Sequence, residues 1–100
     1  MNIEIKNENK QITFAIDGWL DTASSPALGE KIDAITEAEK IVLDFDKVEY
    51  LASSGVRQVV ATHRKAKELG ADFSIINVSP DIMSIFQMTG IDKKFDIQAK

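Results

Sequence analysis

Two adjacent serines, Ser53 and Ser54, lie between an apolar segment and a helical pattern in the stretch YLASSGVRQVV, residues 50–60. Two roles suit a serine there. It can cap the helix that begins near Gly55, with a hydroxyl that accepts a backbone N–H bond and contributes about 1 kcal/mol. It can also accept a phosphoryl group, because the free N–H groups and the dipole of a helix N-terminus tolerate negative charge. The spacing alone favours the cap and leaves the phosphoacceptor open.

The other reactive side chains do not form a catalytic set. His63 is the only histidine, it falls on the apolar stripe of a predicted helix, and the chain has no cysteine. A metal site or a nucleophile–His–acid triad therefore lacks partners. The phosphate-binding patterns GxGxxG and GxxxxGK[ST] are also absent. We expect neither an enzyme nor a bound metal ion, cofactor or nucleotide.

Two carboxylates, Asp44 and Asp46, follow a predicted central strand. Open α/β sheets place their sites at the carboxyl ends of strands, and an acidic cluster there can hold Mg²⁺, as in response-regulator receivers. A receiver also needs an acidic pair after its first strand, whereas this chain begins with a predicted hairpin. We therefore expect Asp44 and Asp46 to be solvated carboxylates at the end of a strand.

The composition is that of one acidic domain spanning residues 1–100. Hydrophobic residues make up 44% of the 100, enough for a core without metals or disulfides, and the net charge is −4. The one basic cluster, HRKAK at 63–67, is too small to bind a phosphate backbone, so nucleic acid is not expected as a partner. No apolar run approaches the roughly 20 residues that span a bilayer, and no secretory signal is visible. We expect a cytoplasmic protein without membrane insertion.

Hydrophobic periodicity predicts the order β-β-α-β-α-β-α-β, which indicates an α/β fold with a mixed sheet and helices packed on it. The first two strands are expected to form an antiparallel hairpin, and the later ones to pair in parallel through right-handed crossovers. Residues 17–26 are predicted to be a loop. The expected strands are 2–6, 11–17, 40–46, 73–78 and 93–98, and the expected helices run from Pro26 to about 38, from about Gly55 to 69, and from Pro80, capped by Ser79, to Gly90.

Three segments in this order resemble the STAS domain, as found in anti-sigma factor antagonists, and the resemblance covers essentially the whole chain. The segments are DGWLDTASSPAL at 17–28, IVLDFDKVEYLASSGV at 41–56 and LGADFSIINVSPDIMSIFQMTGIDKKF at 69–95. Family members read something like G-E-L-D in the first segment and D-S-S-G-L in the second.

The resemblance implies a protein that binds an anti-sigma factor with a histidine-kinase-like ATPase fold and thereby frees a sigma factor. That partner phosphorylates the second serine of the S-S-G motif, which matches Ser54, with Ser53 as second choice. A PP2C-type phosphatase reverses the modification. The family's loop aspartate matches Asp21 and helps to engage the partner. Together with the residues around them in the sequence, we expect the partner-binding set to be Trp19, Asp21, Thr22, Ser53, Ser54, Gly55 and Arg57.

The chain departs from the family pattern at three positions near these residues. Ala52 replaces the usual acidic residue before the serines, Trp19 replaces the loop glutamate, and Arg57 lies where many phosphorylated members have glycine. Trp19 is expected to be either an exposed binding hot spot or a partly buried residue under the first helix. An alternative function therefore stays open, that of a STAS subunit of an ABC transporter or other complex, in which Ser54 is not phosphorylated and only caps the helix.

Overall fold

Five strands form one mixed sheet in the spatial order β1-β2-β3-β4-β5, and the predicted order of elements is confirmed in the computed structural model, which describes residues 1–100. A short 3₁₀ helix, Ile91–Lys93, was not predicted. The strands are β1 Asn2–Glu8, β2 Gln11–Leu20, β3 Lys40–Leu51, β4 Asp72–Val78 and β5 Asp96–Ala99, and the helices are α1 Ser25–Asp33, α2 Ser53–Glu68 and α3 Pro80–Thr89.

The predicted hairpin and parallel pairs are present. Strands β1 and β2 are antiparallel, and Asn9 and Lys10 between them adopt positive φ angles of 52° and 66°. Such angles at both central residues are typical of the tight turn that matches the twist of a hairpin. Strands β2, β3, β4 and β5 are parallel neighbours in sequence order. Right-handed crossovers between parallel neighbours that advance in one direction place all the connecting helices on the same face of the sheet.

The hydrophobic core lies between that face and the helices. Alternate residues of the central strands and the apolar stripes of the three helices join in one cluster of 20 buried residues, whose largest members include Phe14, Leu28, Phe45 and Phe86. The rings of Phe45 and Phe86 are 5.9 Å apart and link β3 to α3. Val42 is buried as well but lies outside this cluster, as expected for a residue on the opposite face.

Strand β3 extends to Leu51, beyond its predicted end, and it contains two more residues than the part of β2 with which it pairs. The partners change from Ala15 with Asp44 to Asp17 with Lys47, and the register shifts again between Gly18 and Trp19. Each shift is a bulge that adds one residue to β3, breaks the alternation of side chains and increases the local twist. The predicted end at residue 46 was therefore wrong, and so was the predicted loop start at 17, since β2 and β3 stay paired as far as Leu20 and Leu51.

The predicted ends of the first two helices need similar corrections. Helix α1 ends at Asp33 rather than near residue 38, and the segment after it returns to the sheet, where the Glu39 N–H donates to Lys10 O over 2.8 Å. Helix α2 begins at Ser53 rather than near Gly55. Helix α3 agrees with the prediction, including the Ser79 cap. No helix in the structure is long and apolar enough to cross a membrane.

Candidate functional site

The loop after β2, residues 21–24, and the start of α2 meet at the carboxyl ends of β2 and β3. The predicted partner-binding residues lie there. The long pairing of β2 with β3 brings these two segments together, because it ends with the Ala52 N–H donating to Leu20 O over 3.0 Å. A hydrogen bond between side chains closes the gap: Thr22 Oγ1 lies 3.1 Å from Ser54 Oγ. The structure therefore joins Thr22 and Ser54 although 32 positions separate them in the sequence.

Gly55 allows the start of α2 to approach β2 so closely. A Cβ atom at this position would lie 2.5 Å from Leu20 O, 2.7 Å from Leu51 Cδ1 and 3.1 Å from Leu20 Cγ. Real Cβ atoms essentially never come that close to a backbone oxygen, so any side chain here would push α2 away from the sheet. Gly55 therefore has a structural role, in that it sets the position of the adjacent Ser54.

The prediction that Ser53 or Ser54 caps α2 was wrong. Because β3 continues to Leu51, the N-cap position falls on Ala52, which has extended backbone angles and no side-chain acceptor. The N–H groups of Ser53, Ser54 and Gly55 consequently have no hydrogen-bond acceptor in the chain. The Ser54 hydroxyl instead forms a hydrogen bond with the Thr22 hydroxyl and Ser54 is half-buried, whereas Ser53 is exposed and its side chain makes no hydrogen bond.

Asp21 organises the loop with one of its two carboxylate oxygens. Asp21 Oδ1 accepts from the backbone N–H groups of Ala23 (3.1 Å) and Ser24 (3.0 Å). The Ser24 hydroxyl accepts from the Asp21 N–H over 2.9 Å and donates to Trp19 O over 2.6 Å. The backbone N–H and then the hydroxyl of Ser24 hold the pKa of Asp21 below its usual range. Oδ2 accepts no hydrogen bond from the chain, so one oxygen fixes the loop and the other remains free to bind a partner.

Trp19 and Tyr50 form an exposed aromatic pair beside this loop. The two residues are 56% and 48% exposed, and their ring centroids are 5.1 Å apart. Trp19 belongs to β2 and is not buried under α1, although its ring borders a shallow hollow with Ala23 and Ala27. Tyr50 was missed at the sequence level because β3 was expected to end at residue 46. The two bulges break the alternation of side chains between Phe45 and Leu51, so no spacing rule indicated the longer strand.

Arg57 is exposed one helical turn after Ser53 and Ser54, and it makes no ion pair with any carboxylate. Residues three or four apart are neighbours on a helix surface. A negative charge added at either serine would therefore have this guanidinium as its nearest cation along the helix.

The side chains considered for catalysis lie elsewhere and are packed or paired. His63 stacks on Phe95 with ring centroids 4.2 Å apart, and burial and then the charge of Lys67 lower its pKa. The structure contains no cluster of three His, Cys, Asp or Glu residues able to hold a metal ion.

Asp44 and Asp46 are within β3 rather than at its end, which corrects the prediction. Asp44 Oδ1 accepts from the Asp46 N–H and from Asn77 Nδ2, both over 3.0 Å, at the first bulge. Asp46 is exposed and pairs with Lys100 over 3.4 Å. Asp44 is half-buried, and its hydrogen bond with the Asp46 N–H stabilises the bulged backbone.

Known proteins share both the sequence pattern and the fold. The chain is 29% identical over 101 residues to the anti-sigma-B factor antagonist of Bacillus subtilis (strain 168), an alignment that covers 100% of this chain and 93% of that protein. The crystal structure of an anti-sigma factor antagonist from Mycobacterium paratuberculosis superimposes with a TM-score of 0.87 at 24% identity, covering 99% of this chain and 86% of the other.

A third similar protein has been solved in a modified state. The Bacillus cell fate determinant SpoIIAA in its phosphorylated form superimposes with a TM-score of 0.79 at 19% identity, covering 99% of this chain and 92% of the other. At the level of the family, the STAS domain profile matches residues 2–100. The chain therefore belongs to the STAS domain family.

Proposed function

We propose that this protein is an anti-sigma factor antagonist that works by partner switching. In its unphosphorylated state it binds an anti-sigma factor, and phosphorylation of Ser54 by that partner abolishes binding. The observation that carries the proposal is the contact between Thr22 and Ser54, which puts an accessible hydroxyl into the same surface as the loop of Asp21. The full-length similarity to a named anti-sigma-B factor antagonist supports the same conclusion. The protein acts as a ligand and a substrate rather than as a catalyst.

The proposed binding surface consists of exposed or half-exposed side chains at the ends of β2 and β3, in the loop after β2 and at the start of α2. Trp19, with Tyr50 beside it, offers the large aromatic area that is typical of binding hot spots. The free oxygen of Asp21 offers an acceptor for a cationic or N–H group of the partner. Arg57 adds a cation at the edge of this surface. Gly55 contributes by leaving the start of α2 close to the loop.

The switch follows from the charge that phosphorylation adds. A partner that phosphorylates Ser54 must place the terminal phosphate of a nucleotide against Ser54 Oγ, so a phosphate already on Ser54 meets the phosphates of the bound nucleotide. A phosphoserine carries about −1.5 to −2 charges at neutral pH. At an effective dielectric constant of about 20, two unit charges about 6 Å apart repel by roughly 3 kcal/mol before screening. Half of that energy already lowers the affinity about tenfold.

The proposal has three further parts, the first two of which come from the family resemblance. The partner has a histidine-kinase-like ATPase fold and transfers phosphate from its own nucleotide. A PP2C-type phosphatase restores the unphosphorylated protein. The protein acts in the cytoplasm, because an anti-sigma factor works where transcription takes place.

Affinity capture with matched baits tests the proposal. The baits are the wild-type protein, Ser54→Ala, Ser53→Ala and a protein carrying phosphoserine at position 54, each incubated with native lysate and analysed by mass spectrometry. We expect the first three baits to recover a histidine-kinase-like ATPase and the phosphoserine bait to lose it by tenfold or more. Recovery of transporter subunits by all four baits would instead establish the alternative, a structural STAS subunit without a phosphorylation switch.

A further inference from the structure

The hydrogen bond between Thr22 and Ser54 is the only side-chain hydrogen bond that joins the loop after β2 to α2. Thr22 Oγ1 and Ser54 Oγ lie 3.1 Å apart, and each hydroxyl can donate to or accept from the other. The contact holds the Ser54 oxygen in one orientation, and when the Thr22 hydroxyl donates, the Ser54 proton stays available for removal. Ser53 has no comparable contact, although it is the more exposed of the two serines.

Thr22 is itself held in place. Thr22 follows Asp21 in a turn that Asp21 Oδ1 closes through the N–H groups of Ala23 and Ser24, and the Ser25 N–H donates to Asp21 O over 2.8 Å. Threonine is also stiff about χ1, because its Cβ is branched. The hydroxyl of Thr22 is therefore directed at Ser54 by the backbone of the loop.

We infer that Thr22 is a positioning residue that selects Ser54 over Ser53 as the phosphoacceptor and then binds the phosphate. The inference rests on the proposed function for its kinetic part. In the transfer, Ser54 Oγ forms a bond to the terminal phosphorus of a nucleoside triphosphate, and the bond from that phosphorus to the bridging oxygen breaks. The serine proton passes to a base on the kinase, and a nucleoside diphosphate leaves. Fixing the attacking oxygen raises the rate, because less orientational freedom is lost on reaching the transition state.

After transfer, Ser54 Oγ is an ester oxygen and a poorer acceptor, so the Thr22 hydroxyl donates to a non-bridging phosphate oxygen instead. Hydrogen bonds to an ionised acceptor are shorter and stronger than those between neutral groups. This contact favours the doubly charged phosphate, and it links the state of Ser54 to the loop that carries Asp21. Phosphorylation of Ser54 thus affects both the start of α2 and the loop of Asp21 in the proposed binding surface.

The decisive test needs no partner. Phosphoserine is installed at position 54 during translation, and the second ionisation of the phosphate is followed by ³¹P NMR across pH in the wild-type, Thr22→Val and Thr22→Ser backgrounds. Thr22 is exposed, so these substitutions leave the fold intact. The second pKa of a free phosphoserine is about 6. We expect Thr22→Val to raise the value by about half a unit relative to the wild type and Thr22→Ser to restore it.

Phosphoserine at position 53 is the matched control, and its ionisation should not respond to either substitution. Equal pKa values for the wild type and Thr22→Val at position 54 would overturn the inference, whatever the partner proves to be. A second experiment measures phosphotransfer from ATP by the recovered ATPase. Thr22→Val should lower kcat about tenfold with little change in KM, and a larger share of the phosphoryl groups should be found on Ser53. Absence of any phosphotransfer to the wild type would refute the proposed function while leaving the NMR result to stand on its own.

Discussion

Replacing Gly55 by alanine is expected to destabilise the domain, although alanine is the better helix former. The new Cβ would lie 2.5 Å from Leu20 O and 2.7 Å from Leu51 Cδ1. The backbone oxygen belongs to the paired end of β2 and also accepts from the Ala52 N–H, so it cannot move without breaking that bond. The start of α2 must shift instead, which also draws Ser54 away from Thr22.

The size of the effect follows from two opposing contributions. Alanine gains at most about 0.5–1 kcal/mol over glycine from backbone entropy. Overpacking a site that cannot relax costs about 1–3 kcal/mol. The net expectation is a loss of about 1–2 kcal/mol in the free energy of unfolding. For a domain of this size each kcal/mol corresponds to about 4–8 °C in Tm.

Gly29 provides the matched control on a neighbouring helix. A Cβ there would meet only the end of the flexible Gln58 side chain, at 2.9 Å from its Oε1. Gly29→Ala should therefore leave the stability unchanged or raise it by up to about 1 kcal/mol. Urea denaturation of both variants and the wild type gives the comparison. A Gly55→Ala protein as stable as the wild type would refute the argument that the absent Cβ fixes the approach of α2 to β2.

Three further variants test the individual roles of residues at the site. Ala52→Asp supplies the missing N-cap acceptor and should raise the free energy of unfolding by about 1 kcal/mol in urea denaturation, and an unchanged value would contradict the assignment of an uncapped N-terminus. The folded pKa of Asp21 lies below its ordinary value of 3.8, so its charge stabilises the fold above about pH 4 and this contribution is lost as the pH falls through the lowered value. Asp21→Asn keeps an oxygen acceptor but should remove that pH dependence, and an unchanged acid-unfolding curve would contradict the assignment. Trp19→Ala should weaken partner binding by tenfold or more in calorimetry with stability within about 0.5 kcal/mol of the wild type, whereas loss of stability at constant affinity would assign the ring to packing.

The fold was predictable from the sequence because its elements differ in period and are well delimited. Alternation in the first two strands and the 3.6-residue spacing in α2 separate strand from helix without ambiguity. Ser79, Pro80 and Gly90 delimit α3 through local chemistry that does not depend on the rest of the chain. Periodicity and local capping residues can be recognised from the sequence alone, because they involve residues that are close together in it.

The end of β3 was not predictable in the same way. Asp46 and Lys47 interrupt the apolar run, and the two bulges reset the alternation of side chains, so the segment up to Leu51 no longer reads as one strand. The error in the end of β3 also led to a wrong cap for α2, because the longer strand moves the N-cap position to Ala52 and leaves Ser54 without that role.

The contacts of the site depend on tertiary structure. The hydrogen bond between Thr22 and Ser54 joins residues 32 positions apart, and no spacing rule connects them. The expected partner-binding set included both residues but did not give their contact. The pairing of Trp19 with Tyr50 likewise depends on the register that the bulges set.

Direct phosphotransfer in a purified system is the measurement that tests the central claim most directly. The captured ATPase is mixed with this protein and ATP, the modified residue is identified by tandem mass spectrometry, and the complex is followed by size-exclusion chromatography with light scattering. We predict a single phosphoryl group on Ser54 and dissociation of the complex as it accumulates, while Ser54→Ala stays bound and unmodified. Phosphorylation at another residue, or a Ser54-phosphorylated protein that binds as tightly as before, would contradict the account.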